Sequence, residues 1–174
     1  TTKSPYWARK QLAAGAIGIC CAKVGEAEVM VEAGVPDVMI TNQVIGASKI
    51  TRMVALARAA NLIVAVDDSS NVQQLSEIAS AAGAELGVIV EINVGQDRCG
   101  VDGDGGVELG RQIAASPGLR FDGLMGYEGH IVAERDYETR KTEAEKSMAV
   151  LLGAAEQIRI AGIEVKVVSA SGTG

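Results

Sequence analysis

An α/β fold, specifically a (β/α)8 barrel of the TIM type, is predicted by three features of the 174-residue sequence. Short apolar runs alternate with helix-length segments without a break, as in AIGICCA, DVMITN, LIVAVDD, ELGVIVEIN, FDGLMGYEGH and VKVVSASGTG. The runs are nearly continuous, as expected of strands covered on both faces. Several close on polar residues, Asn42, Asp67, Asn93, Tyr127 and Ser169, which suits a barrel that gathers its chemistry at the carboxyl ends of its strands. An open doubly wound sheet accommodates the same alternation. No GxGxxG turn follows the first strand, which weighs against a dinucleotide fold.

The elements follow in order. Pro5 suits the first turn of a helix that runs through WARKQLAA and stops at Gly15. Ala16–Ala22 reads as a strand, and Gly25–Gly34 as a two-turn helix ended by glycine. Asp37–Asn42 is the next strand, with a helix across ASKITRMVALARAA. Leu62–Asp68 leads into SNVQQLSEIASAAG, where Ser70 or Asn71 can cap the helix. Glu85–Asn93 leads through the loop GQDRCGVDGDGG into the helix VELGRQIAAS. Phe121–His130 precedes the longest helix, about Asp136 to Ala161, and VKVVSASGTG is the last strand. No linker or composition shift divides the chain, so residues 1–174 read as one domain. Six strands do not close an eight-strand barrel, and a chain opening on the helix after a strand is expected to be a fragment covering about strands 2–7.

Composition narrows the function. Sixteen basic against 22 acidic residues give a net charge of −6 with no basic tract, so nucleic acid is not an expected partner. No apolar run approaches the roughly 20 residues of a membrane span, and the expectation is a cytoplasmic protein that binds no membrane. Cys20, Cys21 and Cys99 are odd in number and include a vicinal pair, which argues against a disulfide framework. The vicinal pair reads most simply as core packing. With His130 alone among histidines, no zinc cage is expected within these residues.

The candidate chemistry lies in loops after strands. In SASGTG, glycines let backbone N–H groups approach an anion while Ser169, Ser171 and Thr173 offer hydroxyls, a phosphate cradle that ends on Gly172, Thr173 and Gly174. An ordinary glycine-rich turn is the alternative. Arg98, between Gly95 and Gly100, suits a carboxylate or phenolate oxygen, or is a surface arginine paired with Asp97 or Asp102. Tyr127 stands at a strand end where a phenol can touch a flat ligand, or packs in the core. His130 reads as a rim residue. Lys3 and Lys23 each carry an amine that could react if desolvated, with no partner evident in the sequence.

Taken together, TTKSPYWARKQLAAGAIGICCAKVGEAEVM, EINVGQDRCGV, GLMGYEGH and VVSASGTG resemble the D-threonine aldolase and D-serine dehydratase family, whose members are similar to alanine racemase in joining a fold-type III pyridoxal-phosphate barrel to a β domain. The resemblance spans the whole segment in family order. The family's opening motif, Arg-Pro-His-x-Lys-Thr-x-Lys, aligns its last three positions with Thr1, Thr2 and Lys3, which would put the cofactor-bearing lysine immediately before Thr1. Thr2 stands where the family usually has histidine, a departure that bears on substrate fit.

The resemblance implies pyridoxal 5′-phosphate as cofactor. Arg98 would lie near its phenolic oxygen or the substrate carboxylate, Tyr127 near the pyridine ring, and Ser169, Ser171, Gly172, Thr173 and Gly174 around phosphate. It also implies a divalent metal (Mn, Mg or Zn) held by a C-terminal β domain, a small D-amino acid substrate and a homodimer. The implied activity is metal-assisted cleavage of D-threonine to glycine and acetaldehyde. Dehydration of D-serine or D-threo-3-hydroxyaspartate is the variant reading, and a non-catalytic pyridoxal-phosphate carrier on the same barrel is the alternative from another class.

Overall fold

In the computed structural model, which describes residues 3–172, six parallel strands lie in chain order across one sheet. They are β1 (Ile19–Cys21), β2 (Asp37–Gln43), β3 (Asn61–Val66), β4 (Leu86–Glu91), β5 (Leu119–Gly126) and β6 (Val167–Ala170). Helix α1 (Pro5–Ala13) precedes β1. Helices α2 (Val24–Glu32), α3 (Ala47–Leu56), α4 (Ser69–Ala81), α5 (Gly103–Ala115) and α6 (Tyr137–Ile160) connect successive strands. A doubly wound sheet reverses its strand order at a switch point, whereas this sheet never does. It is the wall of a (β/α)8-type barrel, six strands wide.

Helix ends follow their sequence signals, with two corrections. Pro5 opens α1, and Gly15, at φ 98°, turns the chain out of it. The cap of α4 is Asp68 rather than Ser70 or Asn71: its carboxylate accepts the N–H groups of both. Asn71 is instead buried, donating to the Val44 carbonyl at 3.0 Å. The second correction is that α5 starts at Gly103, inside the predicted loop, because Asp102 caps it by accepting the Gly105 N–H. Gly106 lies so close to Ile92 that a Cβ would sit 2.9 Å from its Cδ1. The glycines that hide this turn from propensity are therefore what lets it pack. Asp136 and Ala161 are the caps of α6, as expected.

The larger core lies between sheet and helices, where Val38, Ile40, Leu62, Val64, Leu86, Val88 and Val90 meet Met30, Ile50, Met53, Leu75, Ile113, Leu151 and Ile158. A smaller cluster of Ala65, Ile89 and Met125, with Met39, Ile63 and Val167 against it, fills the concave side. The expectation of strands covered on both faces holds for β4, where all six residues are buried. It fails for β2 and β6, which alternate. Their inward residues face a cavity of about 530 Å³ that β1 and β6 line from opposite edges, through Cys20 and Val167 among others. The vicinal cysteines accordingly divide: Cys21 is core, but Cys20 is exposed on the inner face, which corrects the core reading. Desolvation raises the Cys20 thiol pKa, and burial with the nearby Glu26 charge pushes Cys21 up to about 11, so neither is a thiolate at neutral pH.

The amino end of the concave side is closed by charge. Arg120 donates to both oxygens of the buried Asp122, at 2.8 and 2.7 Å, and to Glu85 and Asn61, each at 2.9 Å. Gly87 makes room for this group, since a Cβ there would meet Asp122 Oδ2 and lie 2.9 Å from the Arg120 guanidinium.

Candidate active site

At the opposite, carboxyl end of the strands, a cavity of about 410 Å³ is lined by five of the six strands and the loops that follow them. Cys20 comes from β1, Thr41 from β2, Glu91 from β4, Met125 and Gly126 from β5, and Ser169 and Ala170 from β6; Arg98, Tyr127, Ser171 and Gly172 follow from the adjoining loops. Five of the residues singled out from the sequence, Arg98, Tyr127, Ser169, Ser171 and Gly172, thus meet in one place. Thr173 and Gly174 lie outside the described residues.

The loop carrying Arg98 is built by local hydrogen bonds. The Asn93 carbonyl oxygen of the side chain accepts the N–H groups of Gly95 and Asp97, and its amide donates to Asp97 Oδ1 at 2.8 Å. Gly95 and Gly100 have φ of 118° and 96°, and a Cβ on Gly100 would lie 2.6 Å from the Asn93 nitrogen, so the turn requires glycine. Asp67 anchors the far end by accepting the Gly100 N–H at 2.9 Å. Arg98 is not the surface ion pair considered above: Asp97 is held by Asn93, Asp102 caps α5, and among the described residues Arg98 makes no salt bridge. Its guanidinium carbon lies 5.4 Å from the centroid of the Tyr127 ring, within cation–π range. That placement also settles Tyr127, a half-buried phenol at the cavity wall, outside the core.

The turn after β6 is shaped for close approach. Ser171 has φ 145°, a region that side chains rarely occupy, and its hydroxyl donates to the Gly172 carbonyl at 2.8 Å. The Gly172 N–H donates to Glu128 Oε1 at 3.2 Å, while the other Glu128 oxygen is buried without a partner. A Cβ on Gly172 would sit 2.8 Å from Val132 Cγ1.

His130 is an exposed rim residue whose ring covers Gly95, 3.1 Å from where a Cβ would be. Lys3 pairs with Glu26 at 3.0 Å, and with Lys23 it lines a separate cleft of about 630 Å³ beside α2 and α3. Sequence reasoning missed Glu91, Gln43, Thr41 and Met125. Glu91 has a signal, a charge ending the apolar run LGVIV. Gln43 has only its place in the alternation of β2, two residues after Thr41. Burial raises the Glu91 carboxyl above its ordinary pKa; the Gln43 hydrogen bond opposes this, the Asp67 charge adds to it and Arg98 opposes it.

A parallel barrel wall with a polar cavity at the carboxyl ends of its strands defines a class, and comparison with known proteins names it. Residues 6–174 match the family described as alanine racemase, N-terminal domain, and the chain belongs to that family. It is 40% identical to the D-threonine aldolase of Arthrobacter sp over 173 residues, covering 99% of this chain and 46% of that protein. It is 38% identical to the 3-hydroxy-D-aspartate aldolase of Paracoccus denitrificans over 162 residues, covering 92% of this chain and 42% of the relative. The crystal structure of D-threonine aldolase from Filomicrobium marinum superposes with a TM-score of 0.96 at 44% identity, over 99% of this chain and 47% of that one. The D-threo-3-hydroxyaspartate dehydratase of Delftia sp. is more distant, at 28% identity over 99% of this chain and 46% of the relative. The chain therefore spans about half the length of the relatives it matches. Among its described residues no helix is long and apolar enough to cross a membrane.

Proposed function

We propose that this chain forms the cofactor-binding barrel wall of a lyase that cleaves D-3-hydroxy amino acids, D-threonine giving glycine and acetaldehyde. The observation that carries the reading is the convergence of Arg98, Tyr127 and the Ser169–Gly172 turn on one cavity, in a chain 40% identical to a protein named D-threonine aldolase. The cofactor the family resemblance implies, pyridoxal 5′-phosphate, fits the residues present. The cavity, at about 410 Å³, is of the size that holds small cofactors. It offers a guanidinium for an anionic oxygen, a phenol edge for a flat ring and Met125 for an apolar face. At Gly172 the missing side chain lets the turn pack against Val132 and Glu128 while it lines the cavity.

When bound, the cofactor supplies an electron sink for the bonds at the amino acid Cα. Arg98 holds the phenolic oxygen or the substrate carboxylate, and the Tyr127 ring supports the guanidinium from behind. Ser169 donates to phosphate, and Ser171 joins it by turning its hydroxyl away from the Gly172 carbonyl; Gly172, Thr173 and Gly174 follow in the sequence. Among the described residues no three His, Cys, Asp or Glu side chains gather as metal ligands, and none of these roles draws on the Mn, Mg or Zn ion that the resemblance implies. A small D-amino acid as substrate, a cytoplasmic location and a homodimer belong to the same proposal.

The Delftia dehydratase supports a second reading on the same scaffold, elimination in place of aldol cleavage. Relatives named as enzymes weigh against the non-catalytic carrier. Product analysis with D-threonine separates the two reactions: glycine and acetaldehyde are expected, and 2-oxobutanoate with ammonia as main products would replace the first reading by the second.

A further inference from the structure

Glu91 and Gln43 form a polar pair that the proposed function does not use. Glu91 is 6% exposed at the carboxyl end of β4, and lines the cavity beside Arg98 and Tyr127. Its Oε2 accepts a 2.6 Å hydrogen bond from Gln43 Nε2. That bond crosses a strand, since Gln43 belongs to β2 and Glu91 to β4, with β3 between them. Two features describe the crossing. The β2–β3 register slips after Ile40, which pairs with Val64, so that Gln43 rather than Thr41 stands opposite Ala65. Ala65, on the inner face of β3, is too short to obstruct the reach. The two extra residues of β2 keep Gln43 on the inner face, with Met39 and Thr41, and set it level with Ala65.

The groups facing Glu91 come from each neighbouring element: Cys20 from β1, Asp67 after β3, Arg98 from the loop after β4 and Tyr127 after β5. Asp67 is occupied in holding the Gly100 end of the Arg98 loop. Glu91 Oε1 takes no hydrogen bond from the described residues, and it borders the space that Arg98 also lines.

We propose that Glu91 is a positioning residue for Arg98 and that Gln43 is the residue that aims it. The inference rests on Arg98 being the anion-holding group of the proposed function. An ionised carboxylate at this wall draws the guanidinium inward, and a neutral carboxyl releases it to Tyr127, so the protonation state of Glu91 sets where Arg98 meets a ligand. A donor such as Gln43 favours the charged form of its acceptor. Removing the donor raises the pH at which Glu91 takes up a proton.

The test follows the Arg98 Nε–H signal by nuclear magnetic resonance in the full-length protein without added cofactor, identified by its loss in Arg98→Lys, between neutral and mildly acidic pH. The signal is expected to move with a single midpoint in the wild type. In Gln43→Leu the midpoint should rise by about 1 pH unit, the size of a hydrogen bond to a charged group. In Glu91→Gln the signal should stay still while circular dichroism reports an intact fold. A wild-type signal indifferent to pH, or one that titrates equally in Glu91→Gln, overturns the proposal. Repeating the titration with pyridoxal 5′-phosphate keeps the two readings apart: failure of the wild type to bind it counts against the proposed function alone, whereas binding with the same pH dependence in Glu91→Gln counts against positioning by Glu91.

Discussion

Replacing Arg120 by methionine exposes how the amino end of the barrel wall is held. The guanidinium grips the buried Asp122 with two hydrogen bonds, and in its absence Asp122 keeps as an ion-pair partner Lys166, 4.0 Å away. Breaking one side of a buried ion pair costs roughly 3–5 kcal/mol, because a charge is left in low dielectric without its partner. Arg120 is 31% exposed and Lys166 remains, so the lower end, about 3 kcal/mol, is expected. At roughly 2–4 °C per kcal/mol for a chain of this size, the melting temperature should fall by about 6–12 °C. Urea unfolding and thermal melts at neutral pH measure both. The double variant Arg120→Met/Asp122→Leu removes both charges and should recover most of the loss, since apolar replacement of a whole buried pair is close to neutral. A single-variant loss under about 1 kcal/mol, the value of an exposed pair, or a double variant no more stable than the single one, would refute the reasoning.

Three further outcomes are expected. Arg98→Ala should lower turnover by roughly 10²-fold or more, as for loss of a charge-stabilising donor, with the melting temperature little changed, because the residue is exposed on a loop; parallel losses of stability and activity would make it structural. Gly123 has φ 150° and a Cβ there would run into the Val167 carbonyl, so Gly123→Ala should cost at least about 1–3 kcal/mol and, by displacing β6, weaken cofactor binding at the turn that follows, which equilibrium binding measures. The Glu26 carboxyl is held below its ordinary pKa chiefly by the Ala22 N–H and also by Lys3. Its folded pKa lies below its unfolded one, so it contributes stability above the unfolded value, and that contribution is lost as pH falls through the folded value. Glu26→Gln should flatten this acid limb of the stability profile, and an unchanged limb would assign it to other carboxylates.

The order and kind of elements were legible in the sequence because each strand is an apolar run and each helix is bounded by a proline, an acidic cap or a glycine. What escaped was set by tertiary contact. The first turn of α5 is glycine-rich against its propensity, and forms because Asp102 caps it and Ile92 leaves no room for larger residues. Cys20 looks like core by composition, and alternation on a strand of three residues is too short to reveal which of the pair faces inward. Within the candidate site, Arg98, Tyr127 and the serines stood out because polar residues among glycines at strand ends are unusual. Gln43 did not, since its partner Glu91 lies two strands away across β3, a tertiary contact that strand alternation does not show.

The central claim is that the cavity bounded by Arg98, Tyr127 and the turn after β6 holds pyridoxal 5′-phosphate. The most direct measurement is the visible absorption spectrum of the purified full-length protein before and after borohydride. The account predicts a visible band, present as purified or after incubation with the cofactor, that borohydride abolishes, as expected of a cofactor bound through lysine. A protein that stays colourless with added pyridoxal 5′-phosphate would contradict it.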